Sequence, residues 1–415
     1  MTHYFIGMLI SNIEYKKIPF YFGVIFNVGL IAYFKYTDFI ITNINSVFGA
    51  NVPLQEIVLP LGISFFTFQQ ISYIADIYTG KHDPTGEGFI NYCCYICFFP
   101  QLIAGPIVHH HEMMPQFYAS QSHKIDWENI YNGMILLSIG LAKKVIVADN
   151  LSPIVGECFD TMQALSFLEA SFASLAYTLQ LYFDFSGYCD IAIACALFFN
   201  IKLPINFNSP YKSKSIQEFW RRWHITLSRW LRDYLYIPLG GNRKGERRTY
   251  ANLLATFLIG GLWHGAAWTF VVWGMLHGLA LIVNRLWSKL NICKLPGIVA
   301  LVLTFLFVNM AWICFRCQSF AHVKKFVVAF MAQNGYAVSS RFMVTMVKNS
   351  IFVDFTHIYL YMCILLLVIF FAKNSLQMLD YPKKFLSCMA VCFYAVIFIL
   401  VLLPENYSEF IYSQF

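Results

Sequence analysis

The sequence predicts an all-α protein that crosses a membrane several times. Hydrophobic residues make up 58% of the 415 residues and charged residues only 12%, about half the share of an ordinary soluble protein. The mean hydropathy is +0.58. The apolar runs are continuous rather than alternating, which favours helices over the strands of a membrane barrel. This composition excludes a soluble enzyme, a disordered chain and a fibrous repeat.

Apolar runs bounded by charge, Pro or Gly predict roughly nine to eleven helices that cross or enter the bilayer, because a full crossing needs about 20 residues. These runs are residues 19–36, 57–74, 89–104, 130–148, 167–199, 252–263, 268–283, 298–315, 358–372 and 385–403. The run at residues 3–13 is short for a crossing, so we expect a partial first helix or a natural start further upstream. Residues 1–415 are expected to form a single membrane domain.

Two stretches do not fit simple spans. Residues 211–242 are rich in aromatic residues and arginine, and charge at that density is too costly for a helix that faces lipid. They predict a re-entrant or interfacial segment buried within protein. Residues 337–355 are predicted to form a polar loop. The basic loop at residues 241–248 should face the cytoplasm, and this bias explains the net charge of +7 better than a nucleic-acid partner does.

Polar groups inside apolar runs are the first candidates for function, because they are costly there. His264 stands in the sequence GGLWHGAAW, residues 260–268, where glycines on both sides allow a helix break or a close backbone approach. Such an imidazole could act as a general base. It could equally be a structural histidine bonded to a carbonyl group. The residues alone leave both possibilities open.

His224 lies 40 residues before His264, in the sequence FWRRWHITLS at residues 219–228. It could orient a substrate or stabilise charge. Taken alone, its Trp and Arg neighbours favour an anchor at the membrane interface. The candidate substrate-binding residues are neighbours of the two histidines in the sequence or, for Asp184, a charged residue within an apolar run. They are Trp220, Arg221, Arg222, Trp263 and Asp184.

Asp184 and Asp190 lie within the apolar run YFDFSGYCD at residues 182–190. Two carboxylates in a membrane helix could relay protons in a transporter. They could also pair with arginines of residues 211–242, and the several basic residues of that stretch favour pairing.

The triplet His109, His110 and His111 precedes Glu112, which raises the question of a metal site. Adjacent residues seldom all bind one ion with good geometry, so we predict no metal there. Most of the 12 cysteines lie in apolar runs and are expected to be small buried hydrophobes rather than a disulfide framework. The sequence has no phosphate-binding loop, dinucleotide fingerprint or serine-hydrolase motif, which counts against an ATP-driven pump and a serine hydrolase.

Four segments together resemble the membrane-bound O-acyltransferase family, and within it the membrane subunits of bacterial alginate and peptidoglycan O-acetylation. The segments are SFFTFQQISY at 64–73, FFPQLIAGPI at 98–107, the stretch from DFSGY at 184–188 to LRDYLYIPLGGN at 231–242, and GLWHGA at 261–266. The resemblance implies a ring of helices around a tunnel. The acyl donor would enter from the cytoplasm and the acceptor from the other side.

The resemblance also implies site residues and a reaction. His264 matches the family's histidine in an apolar helix, and His224 matches its second polar position. The expected protein lies in the plasma (inner) membrane of a bacterium and has no bound cofactor. It would move an acetyl group from acetyl-CoA to an extracytoplasmic polysaccharide, either an alginate-like exopolysaccharide or peptidoglycan. A secreted or periplasmic acetyltransferase would be its partner.

Other functions stay open at this point. D-alanyl transfer to teichoic acid uses a relative with the same two histidine positions. A proton-coupled transporter would use Asp184, Asp190 and the membrane histidines as relays. A non-enzymatic scaffold would not need a histidine between glycines in a membrane span.

Overall fold

The computed structural model describes residues 2–102, 105–119, 124–291, 293–348 and 353–401. Every regular element in these ranges is helical, which confirms the predicted all-α class. In chain order the helices are α1 Thr2–Asn12, α2 Lys17–Phe48, α3 Ile63–Tyr78, α4 Phe89–Cys97, α5 His110–Tyr118, α6 Trp127–Thr161, α7 Phe167–Leu197, α8 Ile216–Arg222, α9 Ile225–Leu231, α10 Glu246–His264, α11 Trp268–Leu290, α12 Gly297–Arg316, α13 Phe320–Phe330, α14 Ser340–Lys348, α15 Phe355–Phe371, α16 Ser375–Met378 and α17 Lys383–Val401.

Four helices of the described part, α2, α6, α11 and α12, are long and apolar enough to cross a membrane. The 31-residue helix α7 lies at the centre of the bundle, where most of its side chains are buried. Its neighbours are α6 on one side and α12 on another. The predicted number of nine to eleven helices in the bilayer, the tunnel and the single domain stay predictions.

Several helices begin or end away from the ends of the predicted runs: α3 begins at Ile63 rather than at residue 57, and α6 continues to Thr161 rather than ending at residue 148. Helix α2 was expected to end at residue 36, before Asp38, but it continues to Phe48. Asp38 does not end the helix, and its carboxylate accepts hydrogen bonds from the backbone nitrogens of Gln55 and Glu56, at 2.7 and 3.0 Å. The predicted polar loop at 337–355 is wrong in part, because Ser340–Lys348 is a helix that buries Phe342 and Met346.

Several helices contain π-helical turns, in which the backbone hydrogen bond spans five residues instead of four. They occur at Ala32–Tyr36 in α2, at Ala142–Ala148 and Glu157–Thr161 in α6, and at Arg232–Tyr236 after α9. One of them brings Lys144 within 2.8 Å of Asp149, five residues further along the same helix.

Two glycine pairs let helices approach closely where the polar groups lie. A Cβ atom on Gly274 of α11 would come within 2.3 Å of the Phe257 carbonyl oxygen of α10, and one on Gly261 within 2.4 Å of the Phe270 carbonyl oxygen. Helices α10 and α11 therefore pack backbone to backbone and are joined by a short break after His264. Gly140 and Gly187 make a similar contact between α6 and α7.

Residues 211–242 fold as the short helices α8 and α9 and a following π-helical turn. The tryptophans of this stretch turn inward, since Trp220, Trp223 and Trp230 are all buried. The prediction that this stretch is buried within protein is thus confirmed for its tryptophans. The basic loop that follows is exposed at Arg243, Lys244 and the two arginines 247 and 248.

Candidate active site

His264 is the last residue of α10, and its side chain is only 4% exposed. Aromatic rings surround it. The ring centroids of Trp263, Trp273 and Phe315 lie 4.9, 5.1 and 5.1 Å from that of His264. The chain turns to an extended conformation at Gly265, so the helix ends at the imidazole.

His224 stands at the start of α9 and is completely buried. Its backbone adopts the left-handed conformation, with φ 43° and ψ 53°, which is uncommon for a residue other than glycine. This turn separates α8 from α9 and directs the imidazole inward, edge-on to the Phe185 ring at 4.8 Å. The ring centroids of His224 and His264 are 6.4 Å apart. The structure therefore brings together the two histidines that the sequence singled out.

Asn206 fixes the tautomer of His224. The Asn206 side-chain oxygen lies 3.1 Å from His224 Nδ1 and 3.2 Å from the backbone nitrogen of Thr226. A backbone N–H can only donate, so the oxygen is the acceptor in both contacts. The neutral His224 ring therefore carries its proton on Nδ1 and its lone pair on Nε2.

Helices α2 and α3 hold the end of α10 in place. Lys35 Nζ donates hydrogen bonds to the carbonyl oxygens of Trp263 and His264, at 2.7 and 3.1 Å. The last carbonyl groups of a helix have no partner within it, and a cation there is favourable. Tyr36 donates to the Leu262 carbonyl, and Trp263 Nε1 donates to the Ser64 carbonyl at 3.3 Å. The sequence analysis did not single out Lys35. A lysine inside an apolar span is nevertheless a sign of a functional position, because a charge there is costly.

Trp220 belongs to the same aromatic cluster as His264. Its indole Nε1 donates to His277 Nδ1 at 3.2 Å, and its ring lies 5.8 Å from that of Trp273, which in turn packs against His264. The neutral His277 therefore carries its proton on Nε2. His277 is fully buried in α11 and was missed by the sequence reasoning, although it is a histidine in an apolar run.

Arg221 and Arg222 do not reach the histidines. Arg221 lines a cleft of about 630 Å³, and Trp220 forms part of the wall of this cleft. Three further arginines line it: Arg229, Arg232 and Arg285. Arg222 instead pairs with Glu218 at 2.9 Å and donates to the Asn208 carbonyl oxygen.

The carboxylates of α7 do not pair with arginines of residues 211–242, so that prediction is wrong. Asp184 accepts from Lys144 Nζ at 2.8 Å, and Asp190 accepts from Lys143 Nζ at 2.7 Å. Both lysines belong to the π-helical turn at Ala142–Ala148 of α6. The contact between Gly140 and Gly187 brings this turn next to α7. The expectation that the carboxylates are paired holds, but their partners are lysines.

The sequence of this helical bundle matches a known class of membrane enzyme. Residues 79–324 match the MBOAT (membrane-bound O-acyltransferase) family. The chain belongs to this family. It is therefore an acyltransferase with several membrane-spanning helices, and the predicted enzyme class is confirmed.

Individual relatives share this similarity over different lengths. The chain is 42% identical to a peptidoglycan O-acetyltransferase of Helicobacter pylori, over 100% of this chain and 86% of the relative. It is 43% identical to a probable alginate O-acetylase of Azotobacter vinelandii, over 72% of this chain and 59% of the relative. A teichoic acid D-alanyltransferase of Streptococcus thermophilus is 28% identical over 57% of this chain and 59% of the relative. These relatives are bacterial, in agreement with the predicted plasma-membrane location.

Proposed function

We propose that the chain moves an acetyl group from a cytoplasmic thioester, acetyl-CoA, across the membrane for O-acetylation of an extracytoplasmic polysaccharide, with peptidoglycan as the first candidate. The observation that carries this proposal is the pair of buried histidines 6.4 Å apart in a membrane acyltransferase. Peptidoglycan is placed before alginate because the peptidoglycan O-acetyltransferase matches the whole chain, whereas the alginate O-acetylase matches 72% of it.

His264 would act as the general base in this reaction. It would accept the proton of an acceptor hydroxyl, whose oxygen then attacks the thioester carbonyl carbon. The carbon–sulfur bond breaks, and the proton leaves with the thiol. A positioned base of this kind contributes about 10²–10⁴-fold to the rate. His224 would assist through the Nε2 side of its ring, because its Nδ1 proton is held by Asn206.

The donor would bind in the arginine-lined cleft beside Trp220. Phosphate groups of the donor are anions, and Arg side chains bind phosphate with two parallel hydrogen bonds. Arg221 and Arg285 line this cleft, and the exposed basic residues 243–248 lie at the start of α10. Only the Trp273 ring stands between Trp220 and His264 in the chain of ring contacts. Two packed tryptophan rings therefore connect the wall of this cleft to His264.

The test is mass spectrometry of alkali-released groups from peptidoglycan and from exported polysaccharide. Cells that carry the gene, lack it, or carry His264→Ala are compared. We expect ester-linked acetate to fall in the peptidoglycan fraction of the last two strains. His357→Ala is a matched control, because His357 is an exposed histidine that pairs with Asp354 at 3.0 Å.

Other results would redirect the proposal. Loss of acetate from the exported polysaccharide alone would replace peptidoglycan by that polymer as the acceptor. Loss of ester-linked D-alanine with unchanged acetate would favour the teichoic acid reaction. Full activity in His264→Ala at normal protein level would refute the role of His264.

A further inference from the structure

We propose that His82, Glu87 and His110 bind a divalent transition-metal ion, with Zn²⁺ as the preferred ion. His82 and Glu87 lie in the loop between α3 and α4, and His110 is the first residue of α5. The three side chains each offer one ligand atom, and these atoms all lie within 4.8 Å of one another. This site lies away from the histidine pair and is independent of the acyl-transfer proposal.

The structure splits the histidine triplet between two places. His109 Nδ1 contacts the Tyr234 hydroxyl at 3.0 Å, and His111 Nδ1 contacts Asp76 at 3.3 Å. His110 turns to the opposite side, toward Glu87. The three imidazoles therefore face two different places, and His110 joins two residues from a different loop. The sequence gives no hint of this, because the three ligands are separated by 5 and 23 residues.

Two of the three distances between the ligand atoms match those in a metal centre. His110 Nε2 and His82 Nε2 lie 3.1 and 3.3 Å from the same oxygen of Glu87. In a tetrahedral zinc site with bonds of about 2.0–2.1 Å, neighbouring ligand atoms are about 3.3 Å apart. Among the described residues, these three buried atoms have no hydrogen-bond partner of good geometry, and the two histidine nitrogens meet the Glu87 oxygen only as ion pairs. Buried polar atoms without partners are costly, and a shared cation would satisfy all three.

The chemical types of the ligands select the ion. Two imidazole nitrogens and one carboxylate oxygen suit Zn²⁺ and its first-row neighbours. Ca²⁺ and Mg²⁺ prefer sets made of oxygen atoms alone. Three protein ligands leave a fourth position, which water can fill. The side chains of His82 and Glu87 are each 12% exposed, so the ion can enter from that side.

A bound ion would fasten three parts of the bundle together. The Tyr4 hydroxyl of α1 donates to the Glu87 carbonyl oxygen at 3.0 Å, so the loop is already attached to α1. The ion would attach the same loop to α5. Two residues after His110, Glu112 binds Arg229 of α9 through two hydrogen bonds at 2.6 and 2.9 Å. The ion would thus stiffen the support of the segment that carries His224.

The experiment measures zinc in the full chain, purified in detergent without chelators and after dialysis against Zn²⁺. We expect about one zinc per chain by elemental mass spectrometry. A chelator should lower the melting temperature, and Zn²⁺ but not Mg²⁺ should restore it. Removing a residue that only supports a metal ligand costs about 10–100-fold in affinity, so His82→Ala should weaken zinc binding by at least about 100-fold.

His111→Ala is the matched control, because His111 is the next histidine along the chain and is half exposed. It should keep the zinc content of the wild type. His82 is on a loop and partly exposed, so its loss should not prevent folding. The proposal is overturned if the wild type binds no zinc after dialysis, or if His82→Ala binds zinc as tightly as the wild type.

Discussion

Helices α10 and α7 both carry polar groups into an apolar bundle, and both do so beside a close glycine contact with a neighbouring helix. The two regions differ in what surrounds those groups. Asp184 and Asp190 each have a lysine ammonium group within 2.8 Å, so each carboxylate forms an ion pair. His264 has aromatic rings on several sides, and the lysine nearby binds its backbone carbonyl instead of its imidazole.

Under the proposed function, this difference separates polar groups that stabilise the fold from polar groups that take part in the reaction. A buried ion pair is compensated by its own partners, and such pairs tie α6 to α7. The imidazoles of His224 and His264 are oriented by groups that contact their backbone or the far side of the ring. Such support fixes the orientation of a side chain, which the proposed reaction requires of both histidines. The following variants test whether the two regions respond in opposite ways.

The largest effect should come from His264→Gln. We expect acetyl transfer to fall by about 10²–10⁴-fold or more, because the general base is lost. The melting temperature should change little, since glutamine fills most of the same space. Acetyl transfer is measured as turnover of the purified chain with its partner and a thioester donor. The melting temperature is measured by thermal unfolding. A variant that is unstable but active would place His264 with the structural groups.

Lys143→Met should show the reverse pattern, with lost stability as the primary defect. It leaves Asp190 buried without its lysine, and breaking such a pair typically costs about 3–5 kcal/mol. The double variant Lys143→Met, Asp190→Asn should recover most of this stability, because no buried charge remains. Thermal unfolding of the wild type, Lys143→Met, Asp190→Asn and the double variant gives the interaction energy of the pair as a double-mutant cycle. The exposed pair Arg232 and Asp233 is the control, and Arg232→Gln should cost less than about 1 kcal/mol.

Lys35→Met should reduce both stability and activity. Hydrogen bonds from a charged group are worth about 1.5–3 kcal/mol, and this variant removes the two that hold the end of α10. We expect a moderate loss of stability together with a lower turnover number, because His264 is then less well positioned. Lys35→Arg should recover part of both. Unchanged turnover in a destabilised Lys35→Met chain would mean that Lys35 supports the fold and not the histidine.

Asn206→Ala should have the smallest effect of the series and tests His224. It removes the acceptor that keeps the proton on Nδ1, so the ring can adopt the other tautomer. A supporting residue of this kind typically contributes about 10–100-fold, and we expect the loss in the turnover number more than in KM. Asn206→Asp retains an acceptor and should recover activity. Equal activity in all three chains would show that the tautomer of His224 does not matter.

Sequence reasoning reached further for the fold than for the contacts. The apolar runs located α7 and the α10–α11 hairpin with its break, because long runs and glycines carry strong local signals. The family resemblance implied only that His224 and His264 belong to one site, and the 6.4 Å between their rings depends on tertiary packing. The lysine partners of Asp184 and Asp190 lie 40 and 47 residues away, where local patterns carry no information.

The π-helical turn at Ala142–Ala148 also determines where the length of α6 can change. In an uninterrupted α-helix, residues five apart point about 140° away from each other, because each residue advances by about 100°. Lys144 and Asp149 nevertheless meet at 2.8 Å. The turn thus acts as one inserted residue that shifts the register of everything after it. Deleting Val145 would leave Lys144 and Asp149 four residues apart, the spacing at which a regular α-helix places two side chains on the same face. We therefore expect this helix to keep the pair when one residue is removed within the turn, and to lose the register between its two halves when one is removed outside it.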